Sequence, residues 1–391
     1  SEKRNNLITN EIASLISFAR NDCSFNLGQY QKQVVCKSER FSPYYLQPIM
    51  IINISVFERL LHRLHLLPTP IVDAFGSIVF GRALTIAVRR GVFEALSRTP
   101  RTALELAATT NLSTKGTELV LESLVVAGYV STSDTRYSLT TEARKWLLKD
   151  SPFYIGNLIR YFETLYERWR YLEHSLERGT PPQRYYEKFT DEDWRVYVYG
   201  MRDLARLLLD DVMKRITLTR SAKRLLDLGG SHGLYAIECC RRYPTLTSTI
   251  VDFEKALQYT GQIVREEGVG SRVQLLAADF LHAELPQLQD CVLMFNVVHG
   301  LTDSENGTLL QRVLGTLKPG GKLYILDQLR EEKHRSGLAQ FMPLMVGLNL
   351  LNEIGGNTYS FDQVRNWCDG AGKVRRLRLR LPGVTLVEVV K

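Results

Sequence analysis

From Lys223 onward, short apolar runs alternate with amphipathic helical stretches, and this alternation limits the fold more than any other feature of the chain. Residues 224–228, 248–251, 273–276, 291–298 and 322–326 read as strands separated by helices. Such alternation predicts an α/β fold, a mostly parallel sheet with helices on both faces. After Gly370 the texture changes. Residues 374–381 alternate Arg376, Arg378 and Arg380 with Leu377, Leu379 and Leu381, and Pro382-Gly383 leads into 384–390. This predicts a C-terminal antiparallel hairpin with its arginines on one solvated face.

Upstream, 391 residues leave room for two further parts. Residues 1–70 read as helical pieces, 10–19 and 48–67, the second carrying Ile51, Ile54, Leu60 and Leu61 near helical spacing. That stripe needs a cover, either its own domain or a second subunit. In the next stretch, 80–96 is helical in pattern. Thr102 and Glu105 have the spacing of a capping box, Ser113 can cap another helix, and Gly128 suits its end. Tyr129-Val130 and Tyr137–Leu139 flank a polar turn. Helices followed by a small hairpin predict a winged helix-turn-helix. Residues 151–215 are helical and rich in rings, among them Phe162 and Trp169; some of these suit an apolar pocket for a flat molecule.

Charge and cysteines exclude several classes. The net charge of +8 comes from 50 Lys+Arg against 42 Asp+Glu, spread along the chain. The candidate recognition helix, 114–127, holds Lys115 as its one cation, so a DNA-binding regulator is disfavoured. The six cysteines have no zinc spacing, which predicts reduced thiols and no metal. No signal-peptide core follows the N-terminal residues, and the apolar stretch 48–57 is too short for a bilayer. A soluble cytoplasmic protein is expected, without nucleic-acid or membrane partners.

The most informative segment is Leu225-Leu-Asp-Leu-Gly-Gly-Ser-His-Gly233, a glycine turn between a strand and a helix. Its spacing fails the dinucleotide fingerprint, because Ser231 and Leu234 fall where glycines are required, and no P-loop lysine follows. Asp252 ends the next strand about 20 residues on, where a carboxylate can accept both ribose hydroxyls. Asp279-Phe280 ends the third strand and can frame a base. Together they describe a pocket for an adenosine without phosphates.

With these residues, the chain resembles the S-adenosylmethionine-dependent O-methyltransferases of the plant caffeate and bacterial polyketide type. The resemblance covers roughly residues 71–391. It rests on Leu226–Gly233, Val251-Asp252-Phe253, Ala278-Asp279-Phe280, Asn296-Val-Val-His299, Leu317–Lys322 and Gly355-Gly356. It implies a class I methyltransferase domain behind a winged-helix dimerisation domain. The division would be an arm (1–70), a dimerisation and substrate-lid domain (71–215) and an S-adenosylmethionine-binding catalytic domain (216–391). Gly229, Gly230 and Gly233 would wrap the methionine end, Asp252 with Phe253 the ribose, and Asp279 with Phe280 the adenine. Phe295 stands at a further cofactor position. The product would be S-adenosylhomocysteine, and the enzyme a homodimer.

His299 follows the strand 291–298, where the family carries the histidine that deprotonates the acceptor hydroxyl. A phenol with pKa near ~10 needs such a base at neutral pH. Asp327 stands in place of a family glutamate and could orient His299. Gly300 departs from the Asp or Asn that usually follows the histidine. Thr358 replaces a second glutamate. These departures keep open a relative that runs a hydroxylation or pericyclic step on the same fold. His232 reads as a surface or supporting residue. The apolar helix 341–352, with Met342, Met345 and Asn349 helically spaced, matches the family's acceptor wall, and Met201 resembles another pocket position.

Overall fold

A computed structural model of the chain describes Glu58, Leu61, His62 and residues 64–330 and 338–391. The expected helix at 10–19 and most of that at 48–67 lie outside the described residues; its described end is not helical, because residues 64–67 turn with His65 at φ 58°.

Residues 69–159 form a helical layer with its own core around Phe93, Leu96, Leu106, Leu121 and Leu124. The first helix runs Thr69–Arg89 with a π turn at Val72–Gly76. The expected continuous helix to Leu96 instead breaks at Gly91, whose φ of 73° puts it in the left-handed region that favours glycine. Thr102 and Glu105 close a reciprocal capping box and start Ala103–Thr110. Ser113 caps Thr114–Val126. The strands β1 (Val130–Ser133) and β2 (Arg136–Leu139) then pair across Asp134 and Thr135, both at positive φ.

Thr69–Arg89 is also long and apolar enough, by length and composition, to cross a membrane, unlike the shorter 48–57 stretch. Its apolar face is open: Ile71, Phe75, Ile78 and Val79 are all exposed.

The C-terminal half is a seven-stranded sheet ordered β5-β4-β3-β6-β7-β9-β8. Its strands are β3 (Arg224–Leu228), β4 (Thr247–Asp252), β5 (Val273–Ala277), β6 (Gln289–Phe295), β7 (Leu317–Asp327), β8 (Lys373–Leu377) and β9 (Thr385–Val390). The first five are parallel, and β9 and β8 join antiparallel. Successive residues point to opposite faces, and helices cover both, so the central strands β3 and β6 are buried on both faces along most of their length. Leu225, Cys291, Leu293 and Leu326 enter one core, against the Asp191–Met213, Leu234–Arg242 and Glu254–Glu266 helices. Leu226, Leu228, Val292, Met294 and Ile325 enter the other, against Asp303–Thr316 and Phe361–Trp367.

Two details differ from expectation. Strand β6 stops at Phe295 rather than 298, because Asn296 turns to φ 55° and Val298–Gly300 forms a helical turn. The first hairpin strand ends at Leu377, so Arg378 and Arg380 lie beyond it, and Arg376 lies over the Phe361 ring at 5.2 Å rather than on an open face.

Candidate active site

The carboxyl ends of β3, β4, β6 and β7 converge on one edge of the sheet, the position where open α/β sheets bind ligands. The glycine turn after β3 is shaped by contacts that forbid side chains. A Cβ on Gly229 would lie 2.7 Å from Val297 and one on Gly230 2.7 Å from the Asp227 carboxyl. Gly233 holds φ 71° and a Cβ there would meet Ile250 at 2.9 Å. The Ser231 hydroxyl in this turn is buried with no partner among the described residues. That is an orphan donor beside bare backbone, as a polar ligand requires.

Asp252 reaches the same turn. One carboxylate oxygen accepts the Ser231 amide at 2.8 Å and the other the Phe253 amide at 2.7 Å. Each keeps a free lone pair, the arrangement a vicinal diol needs. Burial raises its pKa to about 6 against the pull of those two amides. Burial, reinforced by Asp252, raises that of Asp227 to about 8.

Phe280 stands 3.8 Å from the position a Gly229 Cβ would take, bounding a flat slot. Asp279 accepts from the Leu281 amide at 3.0 Å and contacts His282 at 2.8 Å. Phe253 is exposed, its ring 5.0 Å from Tyr186. Phe295 sits in the core, edge-on to Tyr235 at 4.7 Å. His232 is buried rather than on the surface. Its Nδ1 accepts the Leu234 amide, and burial, aided by Arg202 and Arg206, lowers its pKa to about 3.

His299 and Asp327 meet across neighbouring strands. Nδ1 of His299 lies 2.6 Å from Asp327 Oδ1, and the His299 amide donates to Oδ2 at 3.3 Å. Burial alone would depress the imidazole pKa, but the charge and hydrogen bond of buried Asp327 outweigh it, with Gln328 and Glu353 adding, and the net shift is upward. The loop is tied down at three carbonyls. Asn306 donates to Val298, the Asn357 amide to His299, and the Tyr359 hydroxyl to Leu301.

Two glycines beside His299 mark a close approach of the segments there. A Cβ on Gly356 would sit 2.3 Å from the His299 carbonyl oxygen, and one on Gly300 would press Ile354 at 3.2 Å. The small residues let the two segments touch. Thr358 is a clip: its buried hydroxyl donates to the Pro343 carbonyl at 3.1 Å, inside the Leu338–Ile354 helix.

Of the expected pocket residues, Trp169 and Asn349 are brought together, Trp169 Nε1 donating to Asn349 Oδ1 at 2.9 Å. Met201 is half-buried on the Asp191–Met213 helix. Phe162, Met342 and Met345 are exposed. The sequence reading missed a buried carboxylate, Glu353. It accepts from Asn349 at 2.7 Å, lies 3.2 Å from Arg168 Nε, and has Tyr161 at 3.4 Å. Burial raises its pKa, opposed first by Arg168. The Arg168 guanidinium also sits over the rings of Tyr161, Tyr185 and Phe189. A lone glutamate in the apolar run before Gly355-Gly356 was the available signal, since such a residue is rarely buried without a partner.

A family model described as an O-methyltransferase domain matches residues 174–372, and one described as an O-methyltransferase dimerisation domain matches 72–150. The chain belongs to the O-methyltransferase family. It is an enzyme that transfers methyl groups from S-adenosylmethionine, and the glycine turn with Asp252 fits that cofactor. Among its relatives is the 3-hydroxy-5-methyl-1-naphthoate 3-O-methyltransferase of Streptomyces sahachiroi, 26% identical over 81% of this chain and 93% of the relative. The acetylserotonin O-methyltransferase of Bos taurus is 26% identical over 81% of this chain and 94% of its own. Human N-acetylserotonin methyltransferase, solved with its cofactor, shares the fold with a TM-score of 0.73 at 22% identity, covering 87% of this chain and 99% of that one.

Proposed function

We propose that this methyltransferase acts on a phenolic hydroxyl of a small planar metabolite of secondary metabolism, aromatic or polyketide-like, with His299 as general base. The His299–Asp327 contact carries this reading. With Asp327 accepting at Nδ1, a neutral imidazole leaves Nε2 as acceptor for the hydroxyl proton, and the imidazolium formed is stabilised by the buried carboxylate. S-adenosylmethionine supplies an already activated sulfonium methyl. The protein's share is placement and deprotonation. Gly229, Gly230 and Gly233 would hold the methionine end, Asp252 with Phe253 the ribose, and Asp279 with Phe280 the adenine. Trp169 and Asn349, with Met201, would line the acceptor side, where Glu353 and Arg168 add polar contacts between rings. The acceptors named for the naphthoate and acetylserotonin relatives are flat aromatics, in keeping with this wall.

In the same reading, residues 71–215 form a winged-helix dimerisation and lid domain and 216–391 the catalytic domain of a cytoplasmic homodimer. The exposed apolar face of Thr69–Arg89 supports pairing of two copies. The test is acceptor-dependent release of S-adenosylhomocysteine across a panel of hydroxylated aromatics. It should fall at least 100-fold in His299→Ala while cofactor affinity holds; general-base catalysis is worth about 10²–10⁴. Undiminished turnover in that variant would refute the assignment.

A further inference from the structure

A cavity of about 460 Å³, lined by residues other than those of the glycine turn and the His299 loop, opens between the helical layer and the Asp191–Met213 helix. Six cations line it: Arg89, Lys149, Arg160, Arg195, Arg202 and Arg206; no carboxylate does. Arg195, Arg202 and Arg206 stand at i, i+7 and i+11 on one helix, which places them on one face. The other three come from three separate segments, so the cluster is made by the fold and not by a run of charge.

The carboxylates that pair with these cations lie outside the lining. Glu163 holds Arg89 at 3.1 Å, and Glu192 holds Arg160 and Arg195 at 2.7 and 2.6 Å. Glu266 and Glu267 hold Arg202 at 3.3 and 2.8 Å. Asp203, next in chain to Arg202, is turned to the amides of Asn157 and Leu158. Guanidinium capacity is left over. Arg202 is only 7% exposed, yet its Nε is buried without a partner, as is Nε of Arg160. Lys149 and Arg206 enter no close side-chain ion pair among the described residues, although Asp203, Glu266 and Glu267 act on Arg206 from a greater distance.

We propose that this cavity binds a small molecule through its phosphate groups. Guanidinium forks match phosphate oxygens in pairs, which favours phosphate over a single carboxylate. The volume suits a metabolite-sized ligand, since such sites span about 300–1,000 Å³. The cavity draws on both the dimerisation segment and the Asp191–Met213 helix, so the ligand would bridge the two layers.

The test uses the full-length enzyme and inorganic pyrophosphate as probe, by calorimetry and thermal shift at constant ionic strength, with and without saturating S-adenosylhomocysteine. Pyrophosphate should bind equally well in both conditions and raise the melting temperature. The double variant Lys149→Ala/Arg206→Ala removes the two lining cations that hold no close ion pair among the described residues. It should bind at least tenfold more weakly, with its own melting temperature and basal turnover near those of the parent. Absence of binding, equal binding by the double variant, or displacement by S-adenosylhomocysteine would overturn the proposal. So would an RNA oligonucleotide that binds the cavity more tightly than pyrophosphate.

Discussion

Replacing Asp327 by Asn keeps the size of the side chain and removes the charge that faces His299. Asp327 is 1% exposed and 2.6 Å from Nδ1, so solvent screens the pair weakly. Two unit charges about 4 Å apart interact by about 4 kcal/mol at an effective dielectric of 20, and a hydrogen bond to a charged group is worth about 1.5–3 kcal/mol. The transition state, in which His299 gains its proton, should therefore lose about 1.5–4 kcal/mol, or about 10- to 1,000-fold in kcat. The pH profile distinguishes this from a packing defect. In the proposed role His299 acts as a base only when neutral, and its pKa is raised by Asp327. The acidic limb of kcat/KM should lie above the ordinary histidine range, and in Asp327→Asn it should move to lower pH. The same pair contributes stability that is complete below the unfolded histidine pKa and is lost as pH rises through the folded value. The assay is S-adenosylhomocysteine release from pH 5 to 9, with cofactor affinity measured alongside. A limb that stays in place, or a rate within threefold of the parent, would refute the reasoning.

In its proposed role Asp252 accepts the ribose hydroxyls as a carboxylate, and its pKa is raised to about 6, so cofactor-product affinity should be flat above pH 7 and decline as pH falls through 6. Calorimetry with S-adenosylhomocysteine checks this, and a flat profile down to pH 5 would contradict it. Gly356→Ala should cost about 1–3 kcal/mol in urea unfolding and lower kcat as well, because its Cβ collides with the His299 carbonyl. Phe75→Glu places a charge on the exposed face of Thr69–Arg89, where burying one such ring contributes about 1.5–3 kcal/mol. Dimer dissociation measured by sedimentation should rise at least tenfold, and an unchanged constant would move the interface elsewhere.

What the residues determine locally was readable in order. Capping at Thr102 and Ser113, the positive-φ turn at Gly229 and Gly233, and the short apolar strand runs depend on neighbours within a few positions. They gave the layered α/β architecture and placed the glycine turn and Asp252 at strand ends without coordinates. His299 and Asp327 were legible as two strand ends. That they touch depends on β6 and β7 being adjacent and parallel, which tertiary structure decides. The same holds for Gly300 and Thr358. In the sequence they look like losses from a catalytic pattern, whereas in space one allows the close approach of Ile354 and the other clips the His299 side of the site to the Leu338–Ile354 helix. Glu353 with Arg168 and the six-cation cavity joins residues tens to more than a hundred positions apart. No periodicity encodes such meetings, because they arise only when separate layers pack and bring their charges into one space.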